Sequence, residues 1–102
     1  MHQSFPTHCA LLLLLYEMKK ERNGASLTET ELVSKVRELE GEGIAIYPAC
    51  WSPLEERIER DLRFLRWRRD ISRYTNGEIA LADGGWMFVI HTDPSVLLRG
   101  YQ

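Results

Sequence analysis

The chain reads as an α+β domain, mainly helical. Three observations lead there. Leu54, Ile58, Leu62 and Leu65 recur at intervals of four, four and three residues, the spacing of one helix stripe. Asn76-Gly77 lies between two β-prone runs, Ile71–Tyr74 and Glu78–Leu81, and this dipeptide supplies the positive φ angles that a tight hairpin requires. Two further helical patterns precede these, each with a capping residue before it and a glycine after it. With 102 residues, 44% of them hydrophobic, residues 1–102 make one domain with a small core.

The first helix is expected from about His8 to Arg22, with Thr7 as its N-cap and Asn23-Gly24 as its stop. Its middle, ALLLLLY, is apolar on every side. Such a helix sits in the centre of a core or is covered by a second copy, and both roles are expected here, with Leu12, Leu13 and Tyr16 as a dimer interface. The second helix is announced by Thr28 and Glu31, spaced as a capping box, and by Leu27 with Leu32, spaced as a hydrophobic staple. Ser26 with Glu29 is a competing cap. Leu32, Val33, Val36 and Leu39 form its buried stripe, and it ends near Glu40, before Gly41 and Gly43. Ile44–Tyr47 is a candidate short strand, and Trp51 a candidate lid on the core.

Ser52 followed by Pro53 opens the third helix by the pairing of a hydroxyl cap with proline at the first helical position. The hairpin spans 71–81. A two-residue turn at Asn76-Gly77 places Tyr74 opposite Ile79 and Ser72 opposite Leu81, which leaves Ile71 on the other face and calls for a bulge near its start. Trp86–Ile90 is readable as strand or buried helix, and Asp93-Pro94 opens a short last helix over Ser95–Leu98.

Net charge is −2, but the charges are segregated. Residues 57–73 hold seven arginines against Glu59, Asp61 and Asp70, a balance of 7 − 3 = +4, whereas residues 1–50 hold five Lys and Arg against seven Glu, a balance of −2. On a helix turning about 100° per residue, Arg60 and Arg63 point away from the apolar stripe and Arg57 flanks them. Either these cations simply solvate a face and pair with Glu55, Glu56 and Glu59, or they present a basic surface to an anionic partner.

Catalysis finds no support, so no enzyme is expected. His2, His8 and His91 are dispersed, and Cys9 and Cys50 form no metal-ligand spacing, so neither a metal nor another cofactor is expected. The spacing leaves open whether the two cysteines are bridged; a reducing cytosol keeps them apart. Gly84-Gly85 is too little for a phosphate loop. Leu11–Tyr16 is too short to span a bilayer and is followed by Glu17, Lys19 and Lys20, which predicts a cytoplasmic protein without a membrane partner.

Leu62-Arg63-Phe64-Leu65, then Arg69-Asp70-Ile71, then Gly77-Glu78-Ile79-Ala80-Leu81-Ala82-Asp83-Gly84-Gly85 resembles the recognition helix and wing of bacterial and archaeal winged helix-turn-helix regulators. Two departures stand out. Arg69 and Asp70 occupy the family's usual glycine and leucine, so one of them, Asp70 more easily, must adopt the left-handed turn. Residues 41–51 are also long for the link between the second and third helices. The resemblance implies a winged helix: a three-helix core, a C-terminal β-hairpin wing and a short C-terminal helix. It implies sequence-specific binding of double-stranded DNA by a homodimeric transcription regulator. Residues 52–69 would be the recognition helix, with Glu56, Arg57, Arg60 and Arg63 at the major groove and Ser52 on a phosphate. The wing would offer Arg73, Tyr74, Thr75 and Asn76. Trp67 is expected to pack against the tail or wing. The alternative is a winged-helix module for protein–protein contact, using the acidic first half and the apolar first helix.

Overall fold

Six consecutive buried residues, Ala10 to Leu15, mark the centre of the protein. They belong to α1 (Thr7–Glu21) in a computed structural model that describes residues 7–23, 27–47 and 51–92. Around α1 stand β1 (Leu27–Thr28), α2 (Glu29–Gly41), α3 (Leu54–Trp67), β2 (Ile71–Arg73), β3 (Glu78–Leu81) and α4 (Asp83–Ile90). The result is an α+β, mainly helical fold with a three-stranded antiparallel sheet of order β1-β3-β2. The expected last helix at 95–98, Ser26 and Cys50 lie outside the described residues.

α1 packs against α3, α4 and β3. That packing removes the expected dimer face. Leu12 and Leu13 are 2% and 1% exposed within the single chain, and half-buried Tyr16 meets Trp86 edge-on, with ring centroids 5.9 Å apart. The faces that the sequence assigns to a second copy are covered by the chain's own α3, α4 and β3. Thr7 lies inside α1, and its hydroxyl donates to Asp61 Oδ2 of α3 at 2.7 Å. The helix stops where expected, with Asn23 at φ 55°.

α2 begins as its sequence dictates. The Glu31 amide donates to Thr28 Oγ1 at 3.3 Å and the Thr28 amide to Glu31 Oε1 at 2.9 Å, a complete capping box. Leu32 and Val36 are buried, with Val33 and Leu39 packed at the edge of the core. Leu27 and Thr28 do more than lead into the helix: they pair with Ile79 and Glu78 as the third strand, which is too short to show in any periodicity.

Residues 44–47 form no strand. Ile46 and Tyr47 turn inward as isolated anchors, and Tyr47 donates to Asp61 Oδ2 at 2.6 Å. Trp51 is 93% exposed and covers nothing in the described core. Pro53, not Ser52, occupies the N-cap of α3, one residue later than expected, and no side chain caps it. The apolar stripe behaves as read: Ile58, Leu62 and Leu65 are buried, and Leu54 packs beside them.

α3 ends in a Schellman motif. The Asp70 amide donates to the Leu65 carbonyl at 2.9 Å and the Arg69 amide to the Arg66 carbonyl at 3.0 Å. Arg69, not Asp70, takes the left-handed conformation, at φ 67°. Asp70 is unavailable for it because its side chain is buried, 6% exposed, with Oδ2 3.4 Å from Arg68 Nε. The start of α4 rests on the same residue, since the Ala82 amide donates to the Asp70 carbonyl at 2.9 Å. A Cβ on Gly85 would overlap that carbonyl oxygen, and one on Gly84 would overlap the Asp70 carboxylate. The two glycines therefore serve close packing.

The hairpin forms, but in a different register. Gly77 alone takes positive φ, 87°, and closes a three-residue loop, 75–77. The Gly77 amide donates to the Tyr74 carbonyl and the Tyr74 amide to the Glu78 carbonyl, both at 2.9 Å. Ile71 then faces Leu81, Ser72 faces Ala80 and Arg73 faces Ile79. A one-residue shift exchanges the two faces of a strand. Here it sets Ile71 beside Leu81 and Ile79 on the core, removes the need for a bulge, brings Arg73 inward and turns Tyr74 out.

Two glycine substitutions separate these roles. Gly85→Ala is expected to destabilise by roughly 1–3 kcal/mol, because backbone must move. Gly41→Ala, at the open end of α2 with nothing within 4 Å, is expected to stabilise by about 0.4–1 kcal/mol. Urea denaturation of both variants checks the signs.

Candidate nucleic-acid interface

The amphipathic stripe of α3 determines which side chains remain outside. Opposite Ile58, Leu62 and Leu65 stand Glu56, Arg60, Arg63 and Trp67, spaced as one row along the helix. All four are exposed. Arg63 is 74% exposed and lies 3.6 Å from Glu59, one turn back, a contact of little energy at the surface. Arg60 makes no ion pair or hydrogen bond among the described residues.

The other predicted contacts fare differently. Arg57 lies over the Tyr47 ring at 5.1 Å, on the flank away from the hairpin. Ser52 is half-buried before the proline. The helix start beside it is already acidic. The Glu55 carboxyl is held below the usual carboxylate range by a backbone amide and by Arg37, whose Nη2 donates to it at 2.6 Å. A phosphate approaching there meets Glu55 and Glu56, so the phosphate contact expected at Ser52 is disfavoured. The groove between α2 and α3 repeats the pattern, with Val33, Ile58 and Leu62 beneath Glu29, Glu55 and Glu56.

Arg73 is the largest correction. Its side chain is 16% exposed and gripped from two sides. Nε and Nη2 donate to Glu29 Oε2 at 2.8 and 2.5 Å, while Nη2 and Nη1 donate to Glu59 Oε1 and Oε2 at 2.6 and 3.1 Å. Hydrogen bonding to Glu59 raises the Arg73 pKa, and the same contact lowers that of Glu59. A guanidinium neutralised by two carboxylates has no charge left for a phosphate. The hairpin tip therefore offers Tyr74, Thr75 and Asn76 and no cation, and Asn76 Oδ1 already accepts from the Glu78 amide at 3.0 Å.

Sequence reasoning missed Arg66 and Arg69. Both are exposed without a partner among the described residues, and both line a cleft between the end of α3, β2 and the start of α4. The signal was present: an arginine stands where a helix stop favours glycine. Trp67, 78% exposed, stacks on Phe64 at 6.2 Å, and Phe64 and His8 meet edge to face; the tail beyond Thr92, one expected partner of Trp67, lies outside the described residues. Among the described residues no group of three His, Cys, Asp or Glu is placed to hold a metal, and no helix is long and apolar enough to cross a membrane. Burial raises the pKa of the Cys9 thiol, which keeps it from being a ready nucleophile.

No protein-family model matches this chain, and comparison with curated proteins and with solved structures gives no match either.

Two carboxyl groups tie stability to pH. Glu59 is lowered by Arg73, and Glu31 is lowered from 4.5 to about 2 by Arg22, whose Nη2 lies 2.6 Å away, and by the Thr28 amide. The unfolded chain then binds more protons in this window, so stability is full above 4.5 and is lost as pH falls toward about 2. Arg73→Gln is expected to lower stability by about 1–2 kcal/mol at neutral pH, because Glu29 and Glu59 are left facing each other. The variant's urea midpoint should also fall less steeply from neutral pH to acid than that of the wild type.

Proposed function

We propose that the chain is a winged-helix domain that binds double-stranded DNA through the outer face of α3 and acts in the cytoplasm as a transcriptional regulator. The observation that carries this reading is the pair Arg60 and Arg63, exposed on the side of α3 opposite its buried residues, with only the long surface contact from Arg63 to Glu59 to engage them among the described residues. The order helix, helix, arginine-bearing helix, hairpin supports it, as does a hairpin beside the basic end of that helix. In the major groove, arginine reads guanine O6 and N7, and Glu56 accepts from cytosine N4. Tyr74 and Asn76 at the exposed tip reach the sugar–phosphate backbone and carry no charge to it. The reading includes a homodimer that sets two copies of α3 on half-sites about one helical turn apart. With Leu12 and Leu13 occupied in the core, its contact lies elsewhere on the chain.

A protein-binding module is the second reading. Its first surface, the apolar α1, is interior. The stacked pair Phe64 and Trp67, exposed beside Arg63, replaces it, since exposed aromatics anchor protein interfaces.

Salt separates the two. Duplex affinity should fall steeply between low and moderate salt, whereas an apolar protein contact barely responds. Arg60→Glu combined with Arg63→Glu should abolish a gel shift without moving the thermal midpoint. Arg73→Gln should do the reverse, lowering the midpoint and leaving the salt slope unchanged. Duplex binding that survives the double charge reversal would remove α3 from the interface.

A further inference from the structure

Arg69 holds a backbone position that glycine fills without strain. At φ 67° it closes the turn after α3, where a side chain with a Cβ is disfavoured. Such strain tends to persist where the side chain has a use. The Arg69 guanidinium has no structural one, being exposed and unpaired among the described residues. Arg66, equally unpaired, is joined to it by the 3.0 Å bond from the Arg69 amide to the Arg66 carbonyl. Both residues line one cleft with Ser72 of β2. Arg68 and Arg73 also border it, but Asp70 occupies the first and Glu29 with Glu59 the second. Asp83 is the carboxylate of the cleft's lining; Arg68 with Asp70 is neutral and Arg73 with Glu29 and Glu59 carries one negative charge, so the positive charge here is local to the guanidinium groups of Arg66 and Arg69.

We infer that Arg66, Arg69 and the Ser72 hydroxyl form a clamp for one phosphodiester of a DNA strand that runs between the end of α3 and the hairpin. The inference rests on the DNA reading above and adds to it the place where the backbone is held. Arg66 follows Arg63 by three residues and lies on the flank of α3 nearer β2. A strand bordering a groove filled by Arg60 and Arg63 passes this cleft. Guanidinium groups match phosphate oxygens in charge and in paired hydrogen bonds, and a serine hydroxyl adds a third donor. The contact carries no base information; it sets the register of the helix in its groove.

The test is equilibrium binding of a fluorescein-labelled mixed-sequence duplex of about 20 base pairs, roughly two half-sites, over a range of salt concentrations. Arg69→Gly should raise the thermal midpoint by a few degrees while weakening binding roughly three- to tenfold. It should also flatten the dependence of log affinity on log salt by about 0.9, the value of one phosphate contact. Arg66→Gln should flatten it similarly, and Arg69→Lys, which keeps the charge, should retain the wild-type slope. If Arg69→Gly and Arg66→Gln bind with the wild-type slope while charge reversal at Arg60 and Arg63 abolishes binding, the clamp is wrong and the α3 reading stands. If the wild-type chain shows no salt-dependent duplex binding, both fall together.

Discussion

The contact between Arg73 and the carboxylates of Glu29 and Glu59 is the constraint around which this small domain closes. One guanidinium joins β2 to the first turn of α2 and to the middle of α3. It arises from a register choice. Placing Ile71 on the core face beside Ile79 and Leu81 requires an even pairing, and an even pairing sends Arg73 inward as well. Burying Ile71 is worth about 1.5–3 kcal/mol. A guanidinium brought in without partners would cost more than that, so the arrangement holds only because two acids, 30 residues apart in sequence, meet there. The three-residue loop ending at Gly77 is the backbone geometry that permits it.

The Asp70 corner does a comparable job at the other end of the hairpin. Its amide closes α3, its carbonyl receives α4, and its side chain lies under Gly84. Because Asp70 is committed to the interior, the left-handed position falls to Arg69. The same local geometry thus strains the chain and delivers a cation to the surface beside Arg66.

Together these corners divide the arginines of residues 57–73 into two groups. Arg73 and Arg68 serve the fold through carboxylates, and Arg57 lies against Tyr47. Arg60, Arg63, Arg66 and Arg69 remain outward along α3 and around its end, with at most the long contact to Glu59. The basic surface is narrower than the sequence balance of +4 suggests and lies toward the C-terminal half of the helix. Acids hold the other half. A duplex accommodated by this surface would set its phosphates over Arg60 to Arg69 and keep them from the Glu55–Glu56 end, which leaves Glu56 a base-edge contact alone.

Local rules settled much of this protein from its sequence. The capping box at Thr28 and Glu31, the stop at Asn23, the stripe of α3 and the presence of a hairpin at Asn76-Gly77 each follow from residues within a few positions of one another, whose energetics hardly depend on what lies across the core. Tertiary structure decided the rest, because each remaining question turned on a partner distant in the chain. Whether Leu12 and Leu13 faced a second copy depended on how closely α3, α4 and β3 surround α1. Whether Trp51 closed the core depended on Ile46 and Tyr47 filling it first. Whether Arg73 or Tyr74 pointed outward depended on Ile71 finding Leu81 and on Glu29 meeting Glu59. Pattern within a segment says which residues prefer to be buried; only the assembled core, with its fixed volume and its need to neutralise every charge it encloses, selects among them.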